Sequence, residues 1–492
     1  MTSLWLDRAP NIETDEFEAD AHYDEVVVGA GLTGLVAALL LARAGRRVVV
    51  LESRRVGALT TGNTTAKLSL LQGSQLQKIK HRTYQAVLEA YVEANREGQA
   101  WMLRYADEHG IPVQRRDAIS YATTVEGAAT IDREYEAARS TGLPVVRAGD
   151  AGLPFETTAS VRLADQAQFD PMDVLRALVL DLRAHGGKVV ENVRVTGAHA
   201  SDPVEVRTTR GEVRAGHLIV ATGMPILDRG LYWAKLRPKR SYGLSFRVPG
   251  EIPSDMYVSV DGPTRSLRTT PDESGELLLV GGNGHEVGRH PSPASLVDDL
   301  ADWTERWFPG AERTHTWSAQ DYETPHGVPF VGWMPRGRGR IFLATGYDKW
   351  GMTNAVQCGL TLASDILGGH QPWAKTLHRR VTTPRAMAVG LGMNAAVAWE
   401  YLKGWTAAVA KPLPDEPPAE GQGEIGRDGL KATAISTVDG VTCKVSALCP
   451  HLHAMVAWND QERTWDCPAH GSRFAADGTR LEGPTVRDLA AR

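Results

Sequence analysis

Cysteine is scarce in this chain, with four among 492 residues. Two of them, Cys358 and Cys443, stand apart from any motif, and no pattern of paired cysteines suggests a disulfide framework. A small secreted protein held together by disulfides is therefore excluded. A reducing cytoplasm is the expected location.

Long apolar runs are also missing. A membrane-spanning helix needs roughly eighteen consecutive apolar residues, and the best candidates, Val36–Leu41 and Ala386–Trp399, are short or interrupted by glycine and asparagine. Residues 1–23 are acidic and polar, without the basic start and apolar segment of a secretory signal. The sequence therefore predicts a protein with no membrane span.

An excess of positive charge is absent as well. The 54 Lys and Arg residues are outnumbered by 59 Asp and Glu, and the formal net charge is −5. This balance argues against nucleic acid or an anionic membrane as an electrostatic partner. The length exceeds what one hydrophobic core supports, so we expect about two to four domains.

Two short motifs near the C-terminus carry the most specific signal. They are Cys-Pro-His at 449–451 and Cys-Pro-Ala-His at 467–470, with fifteen residues between them. The segment 411–492 resembles the Rieske family, in whose [2Fe–2S] centre two cysteines hold one iron and two histidines hold the other. The implied cluster ligands are Cys449, His451, Cys467 and His470. A closed zinc site is the alternative, although zinc motifs usually pair two cysteines and then two histidines.

The sequence departs in part from the respiratory type of Rieske protein. Ala454 and Ala469 stand where that type has a second cysteine pair, and Phe474 replaces a tyrosine whose hydroxyl reaches a ligand sulfur. Ser472 keeps one such donor. Fewer hydrogen bonds to sulfur lower the potential, so we expect an intermediate value.

A glycine turn near the N-terminus predicts a dinucleotide site. Gly29, Gly31 and Gly34 follow an apolar strand and open an apolar helical stretch, and Glu52 ends the next strand eighteen residues past Gly34. The glycines allow a tight turn and close approach to a pyrophosphate, and the acidic residue suits a ribose. The fingerprint alone does not separate NAD from FAD, and an empty doubly wound domain is the alternative.

Two later segments favour a flavin. Residues 217–223 and 340–346 are apolar strands that end in small-residue turns, and the second leads through 347–353 into a helix. A helix N-terminus there can direct backbone N–H groups to the pyrimidine end of an isoalloxazine. With the glycine turn, these motifs make residues 22 to about 372 resemble the D-amino-acid oxidase superfamily of FAD-dependent oxidoreductases.

The resemblance implies which residues bind FAD. The stretch 60–67 resembles a bacterial subgroup of the superfamily that carries a Rieske domain, and it is expected beside the flavin. The implied FAD-binding residues are Gly29, Gly31, Leu32, Thr33, Gly34, Glu52, Ser53, Arg54, Thr64, Thr65, Lys67, Val195, Ala221, Thr222, Gly223, Gly346, Lys349, Trp350, Gly351, Met352 and Thr353.

The expected fold is an α/β FAD-binding Rossmann-like domain with an α+β antiparallel-sheet substrate domain, followed by a small all-β Rieske domain. A run of prolines and glycines over 412–423 is the clearest linker. Three divisions are predicted: the FAD-dependent oxidoreductase at 22–372, a helical connector at 373–410 and the Rieske domain at 411–492. Within the oxidoreductase, the nucleotide-binding part comprises 22–110, 155–231 and 320–372. The substrate part is mainly 232–319.

This resemblance implies oxidation of an amine, an amino acid or a related small molecule by hydride transfer to flavin. Electrons then leave singly through the cluster to an acceptor protein or a quinone. The alternative is a reductase that takes electrons from NAD(P)H and feeds a partner oxygenase, but the glycines at 281–284 lack the helix of a second nucleotide site. A Rieske oxygenase would need two further histidines and a carboxylate for mononuclear iron, and no histidine follows His470.

Substrate contacts are expected from the antiparallel part and from the flavin segments. The candidates are Arg240, Tyr242, Arg268, His326 and Lys349. Tyr322 stands where the superfamily often has an arginine that binds a substrate carboxylate, which argues against a simple α-amino acid. The sequence assigns no catalytic residue.

Overall fold

The computed structural model describes residues 1–273 and 275–492. The helices are α1 (Leu4–Asp7), α2 (Leu32–Arg43), α3 (Gln75–Arg82), α4 (Gln85–Glu108), α5 (Val125–Arg139), α6 (Pro171–Ala184), α7 (Pro293–Trp307), α8 (Gly351–Ile366), α9 (Ala374–His378) and α10 (Pro384–Ala410). The strands are β1 (His22–Val28), β2 (Val48–Leu51), β3 (Lys67–Leu68), β4 (Val113–Ala122), β5 (Val146–Ala148), β6 (Ala159–Phe169), β7 (Lys188–Val190), β8 (Val195–His199), β9 (Val204–Thr208), β10 (Gly211–Val220), β11 (Arg237–Arg247), β12 (Met256–Ser259), β13 (Arg265–Asp272), β14 (Gly275–Glu286), β15 (Glu312–Glu323), β16 (Phe330–Trp333), β17 (Ile341–Thr345), β18 (Gly423–Asp428), β19 (Lys431–Val438), β20 (Val441–Ser446), β21 (Ala457–Asn459), β22 (Thr464–Asp466), β23 (Arg473–Ala475) and β24 (Arg480–Glu482).

An eight-stranded sheet organises the part of the chain that was predicted to bind nucleotide. Its order is β16-β17-β10-β1-β2-β7, and the β8–β9 hairpin joins it at β10. The strands from β17 to β7 run parallel. Helices α2, α6 and α8 share a core with one face, while the β8–β9 hairpin shares a core with the other. Burial on both faces explains why the last three residues of β1 are valines and β2 is entirely valine and leucine.

A nine-stranded, mainly antiparallel sheet forms the second large layer. Its order is β15-β11-β14-β13-β12-β4-β6-β3, with β5 joined to β6. Residues 159–169 belong here as β6, whereas the sequence pattern assigned 155–231 to the nucleotide-binding part. The reason is non-local pairing, because β6 pairs antiparallel with β4 along most of its length.

The C-terminal part is a separate small all-β unit. It contains a three-stranded sheet (β18–β20) and a four-stranded sheet (β21–β24), around a core that includes Trp465 and Phe474. Helix α10 precedes it and packs Val397 and Tyr401 against that core. The fold class predicted from the sequence is therefore confirmed. No helix within the described ranges is long and apolar enough to cross a bilayer.

Candidate functional site

The glycine turn after β1 is shaped for close approach by a ligand. Gly29 has a φ of +108°, and a Cβ there would lie 2.6 Å from the Ala221 carbonyl oxygen. A Cβ on Gly34 would lie 2.0 Å from the Gly29 carbonyl oxygen, so only glycine lets α2 pack on the turn. Gly31 caps the N-terminus of α2 and borders a cavity. This helix N-terminus can bind a pyrophosphate through its backbone N–H groups.

Glu52 is fixed at the end of β2 by backbone donors. Its carboxylate accepts hydrogen bonds from the N–H groups of Ala30 (2.9 Å) and Arg54 (2.8 Å). Burial raises the pKa of Glu52, and these hydrogen bonds oppose the rise. Because the side chain also borders the cavity, its position suits acceptance of a hydrogen bond from a ribose hydroxyl.

A cavity of about 460 Å³ is lined by residues from motifs along the whole length of the part predicted to be the oxidoreductase. Both large sheets contribute to its wall. The implied FAD-binding residues that line it are Gly29, Gly31, Leu32, Thr33, Glu52, Ser53, Thr64, Thr65, Lys67, Val195, Ala221, Thr222, Gly223, Gly346, Lys349, Trp350, Gly351 and Met352. The glycine turn, the helix N-termini and the acidic residue at its edge fit a flavin dinucleotide.

Three of the implied FAD-binding residues lie behind the wall. Gly34 packs α2 against the turn, as described above. The Arg54 guanidinium donates to the Leu481 carbonyl oxygen at 3.0 Å. The Thr353 hydroxyl donates to Asn95 of α4 and accepts from Gln72 in the loop before α3.

The Thr61 hydroxyl, in the stretch 60–67 that was expected beside the flavin, accepts a hydrogen bond from the Leu32 N–H at 3.2 Å and so orients the first turn of α2. Other wall residues carried no recognisable sequence signal. The Asp321 carboxylate accepts from the Lys349 N–H. Residues 480–483 of the C-terminal unit also line the cavity, although nothing in the local sequence indicates contact with a nucleotide site.

The candidate substrate residues divide into two groups. Tyr242 and Lys349 line the cavity, whereas Arg240, Arg268 and His326 do not. Arg268 is fully buried and donates to backbone carbonyls just before β3, so it supports the loop that carries the cavity-lining threonines. The His326 ring packs edge-on against a phenylalanine.

The four implied cluster ligands converge in two loops of the C-terminal unit. The imidazole rings of His451 and His470 lie 5.1 Å apart at 87°. Cys449 and Cys467 are buried, neither forms a disulfide, and their sulfurs are in hydrogen-bonding contact. Within the described residues the buried His451 Nδ1 has no hydrogen-bond partner, so it is available to bind iron. This donor set fits a [2Fe–2S] cluster.

The arrangement of ligands also bears on the zinc alternative. In the described part of the chain, no three His, Cys, Asp or Glu side chains converge on a single metal position. A closed zinc site needs four ligands around one ion, whereas each iron of a Rieske cluster takes only two protein ligands. Two cysteines and two histidines match the division of ligands in a Rieske cluster, with the cysteines for one iron and the histidines for the other.

The surroundings of the ligand sulfurs match the sequence pattern. Ala454 and Ala469 are buried in the two ligand loops, and Phe474 is buried without a hydroxyl to offer. The Ser472 hydroxyl is within hydrogen-bonding reach of the Cys449 sulfur. The intermediate reduction potential stays a prediction.

A buried charge network joins the C-terminal unit to β11 of the oxidoreductase part. Arg240 donates to Glu462 at 2.6 Å and lies 3.4 Å from Glu482. Arg473 contacts the same two carboxylates, each at 2.7 Å. Burial alone would raise the pKa of Glu462, but Arg240 and Arg473 lower it to about 2. Arg240, expected on the substrate pocket wall, therefore holds the two units together.

Backbone contacts at a second point bring the cluster loop against the oxidoreductase part. Gly288 has a φ of +68°, and a Cβ there would lie 2.8 Å from the Asp466 carbonyl oxygen and 2.9 Å from the Pro468 nitrogen. Arg289 donates to the Pro468 carbonyl oxygen at 2.9 Å. A side chain at 288 would therefore separate the two surfaces.

Comparison with known proteins agrees with this architecture. Residues 24–364 match the family model of the FAD dependent oxidoreductases (DAO), which is more than half of the chain. This chain belongs to that FAD dependent oxidoreductase family. Residues 420–491 match the Rieske [2Fe-2S] domain. Family and domain together imply FAD and a [2Fe–2S] cluster as the cofactors of this oxidoreductase.

One of the similar proteins matches this chain over nearly the whole length of both proteins. The Rieske 2Fe-2S iron-sulfur protein YhfW of Bacillus subtilis (strain 168) is 30% identical over 482 residues, which cover 96% of this oxidoreductase and 94% of YhfW. Glycine oxidase of Bacillus licheniformis is 26% identical over 370 residues, covering 70% and 93%. The structure of glycine oxidase from Geobacillus kaustophilus superposes with a TM-score of 0.62 at 20% identity, covering 74% and 99%.

Proposed function

We propose that this protein oxidises a small amine, an amino acid or a related compound and passes the electrons singly through its Rieske cluster to an acceptor protein or a quinone. When bound, FAD accepts hydride and the cluster carries one electron at a time. The observation that carries the proposal is the fixed attachment of the cluster domain beside the flavin cavity by Arg240 and its buried carboxylate partners. Two similar proteins named glycine oxidase support a substrate with a C–N bond.

Gln320 connects the cavity with the cluster loop. Its side-chain amide donates to the Gly471 carbonyl oxygen at 2.8 Å and to the Tyr322 hydroxyl at 2.9 Å. Tyr322 lines the cavity, and Gly471 directly follows the ligand His470. This short connection of hydrogen bonds supports electron transfer from the cavity to the cluster.

The two ligand histidines differ in their exposure. His470 is 3% exposed, whereas His451 is half-buried. The Trp233 ring of the oxidoreductase part contacts both imidazoles, with centroid distances of 4.9 Å to His470 and 5.7 Å to His451. With the cluster held by these ligands, His470 would lie on the side of the oxidoreductase part and His451 would offer the more exposed edge to an acceptor.

Lys67 is the group we assign to accept a proton from the substrate. Its ammonium borders the cavity and donates only to neutral groups, the Tyr257 carbonyl and the Ser266 hydroxyl, among its described contacts. Burial lowers the pKa of Lys67 well below its usual value, and nearby Arg268 adds to the effect. A neutral amine at Nζ can take a proton from a substrate ammonium before C–H cleavage.

Replacing Lys67 by methionine is expected to slow flavin reduction by substrate about 10²-fold or more, which is the usual contribution of a positioned base. In the wild type the rate of flavin reduction should rise with pH as Lys67 loses its proton, and the midpoint of that rise should lie well below pH 10.5. The Lys67→Met variant should not show this rise. Stopped-flow absorbance at several pH values measures both. Ser266→Ala, which keeps the Lys67 amine, should retain the rise of the rate with pH. A pH profile in Lys67→Met that matches the wild type would refute the role of Lys67 as a base.

Reduction by NAD(P)H is the competing function. Gly281 and Gly282, the glycines considered for a second nucleotide site, lie inside β14 and pair with the neighbouring strands β11 and β13. They therefore form part of a sheet and not a phosphate-binding turn. This placement supports substrate oxidation over nicotinamide oxidation.

An anaerobic reduction experiment tests the proposal. The purified protein, with flavin and cluster confirmed by absorbance and EPR, is mixed with a panel of amines, amino acids, NADH and NADPH. We expect one or more amines to bleach the flavin and then to produce the EPR signal of the reduced cluster. Bleaching by a nicotinamide nucleotide and by no amine would replace this function with the reductase alternative.

A further inference from the structure

We propose that the Rieske domain forms one wall of the FAD site, so that flavin binding and docking of the Rieske domain stabilise each other. Residues 480–483, which comprise β24 and the following glycine, border the same cavity as the glycine turn and Glu52. Among the described residues that line the cavity, they are the ones from the Rieske domain, and the oxidoreductase part supplies the others. This inference concerns cofactor binding and does not depend on which substrate is oxidised.

Two hydrogen bonds hold β24 at the edge of the cavity. The Arg54 guanidinium donates to the Leu481 carbonyl oxygen at 3.0 Å, and the Arg194 guanidinium donates to the Arg480 carbonyl oxygen at 3.3 Å. Arg54 lies two residues after Glu52, and Arg194 lines the cavity. The Rieske strand therefore covers the ribose end of the site.

The charges at this end suit the adenosine diphosphate half of FAD. The guanidinium groups of Arg54, Arg194 and Arg480 lie close enough to repel one another, and Glu52, Glu482 and Asp488 are the neighbouring acids. Within the described residues, Arg194 Nη1 and Arg480 Nε are buried without hydrogen-bond partners. Guanidinium groups bind phosphate oxygens and stack on aromatic rings, so a bound nucleotide would give Arg194 and Arg480 the partners that these two nitrogen atoms lack.

The same strand is part of the domain interface. Glu482, at the end of β24, accepts from Arg473 at 2.7 Å and lies 3.4 Å from Arg240. The same short strand β24 therefore contacts the flavin site and forms the ion pairs of the domain interface. If bound flavin stabilises the docked Rieske domain, docking must strengthen flavin binding by the same free energy.

The test uses the full chain with its cluster intact and its flavin removed. Leu481→Ala removes a cavity-lining side chain and is expected to raise the Kd for FAD about tenfold, the scale of one buried leucine contact. Leu430→Ala is the matched control, since Leu430 is 99% exposed in the turn between β18 and β19 of the Rieske domain. Flavin fluorescence titration gives the Kd, and the EPR spectrum of the cluster verifies that the domain is folded.

A second measurement needs no variant. Adding FAD to the wild-type apoflavoprotein should slow amide hydrogen exchange at 480–483 at least several-fold, while exchange in β18 and β19 stays constant. ADP alone should give part of this protection. A Kd for Leu481→Ala within twofold of the wild type, or no protection of 480–483 by FAD, would overturn the proposal.

Discussion

Replacing Arg240 by methionine is expected to destabilise the docked Rieske domain by about 3–5 kcal/mol, the usual cost of removing one partner from a buried ion pair. Two guanidinium groups, Arg240 and Arg473, face three carboxylates, Glu462, Asp466 and Glu482. Without Arg240 the buried excess of negative charge rises from one to two. The remaining carboxylates would have to bind water or protons, and the interface would open.

Thermal or urea unfolding, followed separately by flavin fluorescence and by cluster absorbance, measures the effect. The wild type should show coincident transitions, and Arg240→Met should show the cluster domain unfolding or separating first. Arg247→Met is the control on the same strand, because the Arg247 side chain is 52% exposed and an ion pair made by such an exposed group contributes at most about 1 kcal/mol. Coincident transitions in Arg240→Met with unchanged midpoints would show that the network does not hold the domains together.

Replacing His470 by alanine is expected to abolish transfer to one-electron acceptors while leaving flavin reduction by substrate within about twofold of the wild type. The substitution removes one of only two protein ligands to an iron, and the [2Fe–2S] signal should disappear from the EPR spectrum. The flavin cavity should keep its chemistry, since His470 does not border it. Anaerobic stopped-flow reduction and reduction of a one-electron dye measure the two half-reactions.

A neighbouring histidine provides the control for this variant. His453 lies in the same ligand loop as His451 but is exposed, with a φ of +59°. Asparagine tolerates that left-handed conformation, so His453→Asn should keep both the cluster and the transfer. If His470→Ala passed electrons to the dye at the wild-type rate, the cluster would not lie on the path.

Short sequence motifs predicted those features of the site that depend on residues close together in the chain. The glycine turn, Glu52 and the four cluster ligands owe their positions to one turn or one loop each, so spacing and residue type were sufficient. The lining of the cavity by 64–67 and by 349–352 followed from resemblance to the superfamily. These predictions needed no knowledge of which distant segments meet.

Long-range contacts account for what the sequence did not indicate. Arg240 was expected in the substrate pocket, but its partner Glu462 is more than two hundred residues away along the chain. The wall formed by 480–483 likewise depends on how one domain docks on another. Thr353 lies within the flavin segment of the sequence, but its place on α8 directs its hydroxyl to Asn95 of α4.

Gly288 has an implication for how this two-domain architecture is inherited. Its missing side chain allows backbone of the Rieske domain to approach within a distance that a methyl group would prevent. A Rieske domain acquired by recombination from another protein would therefore have to match this surface as well as supply the iron ligands. We therefore expect substitutions on the two facing surfaces to depend on one another, and we expect a chimera of unmatched halves to carry both redox groups without docking them.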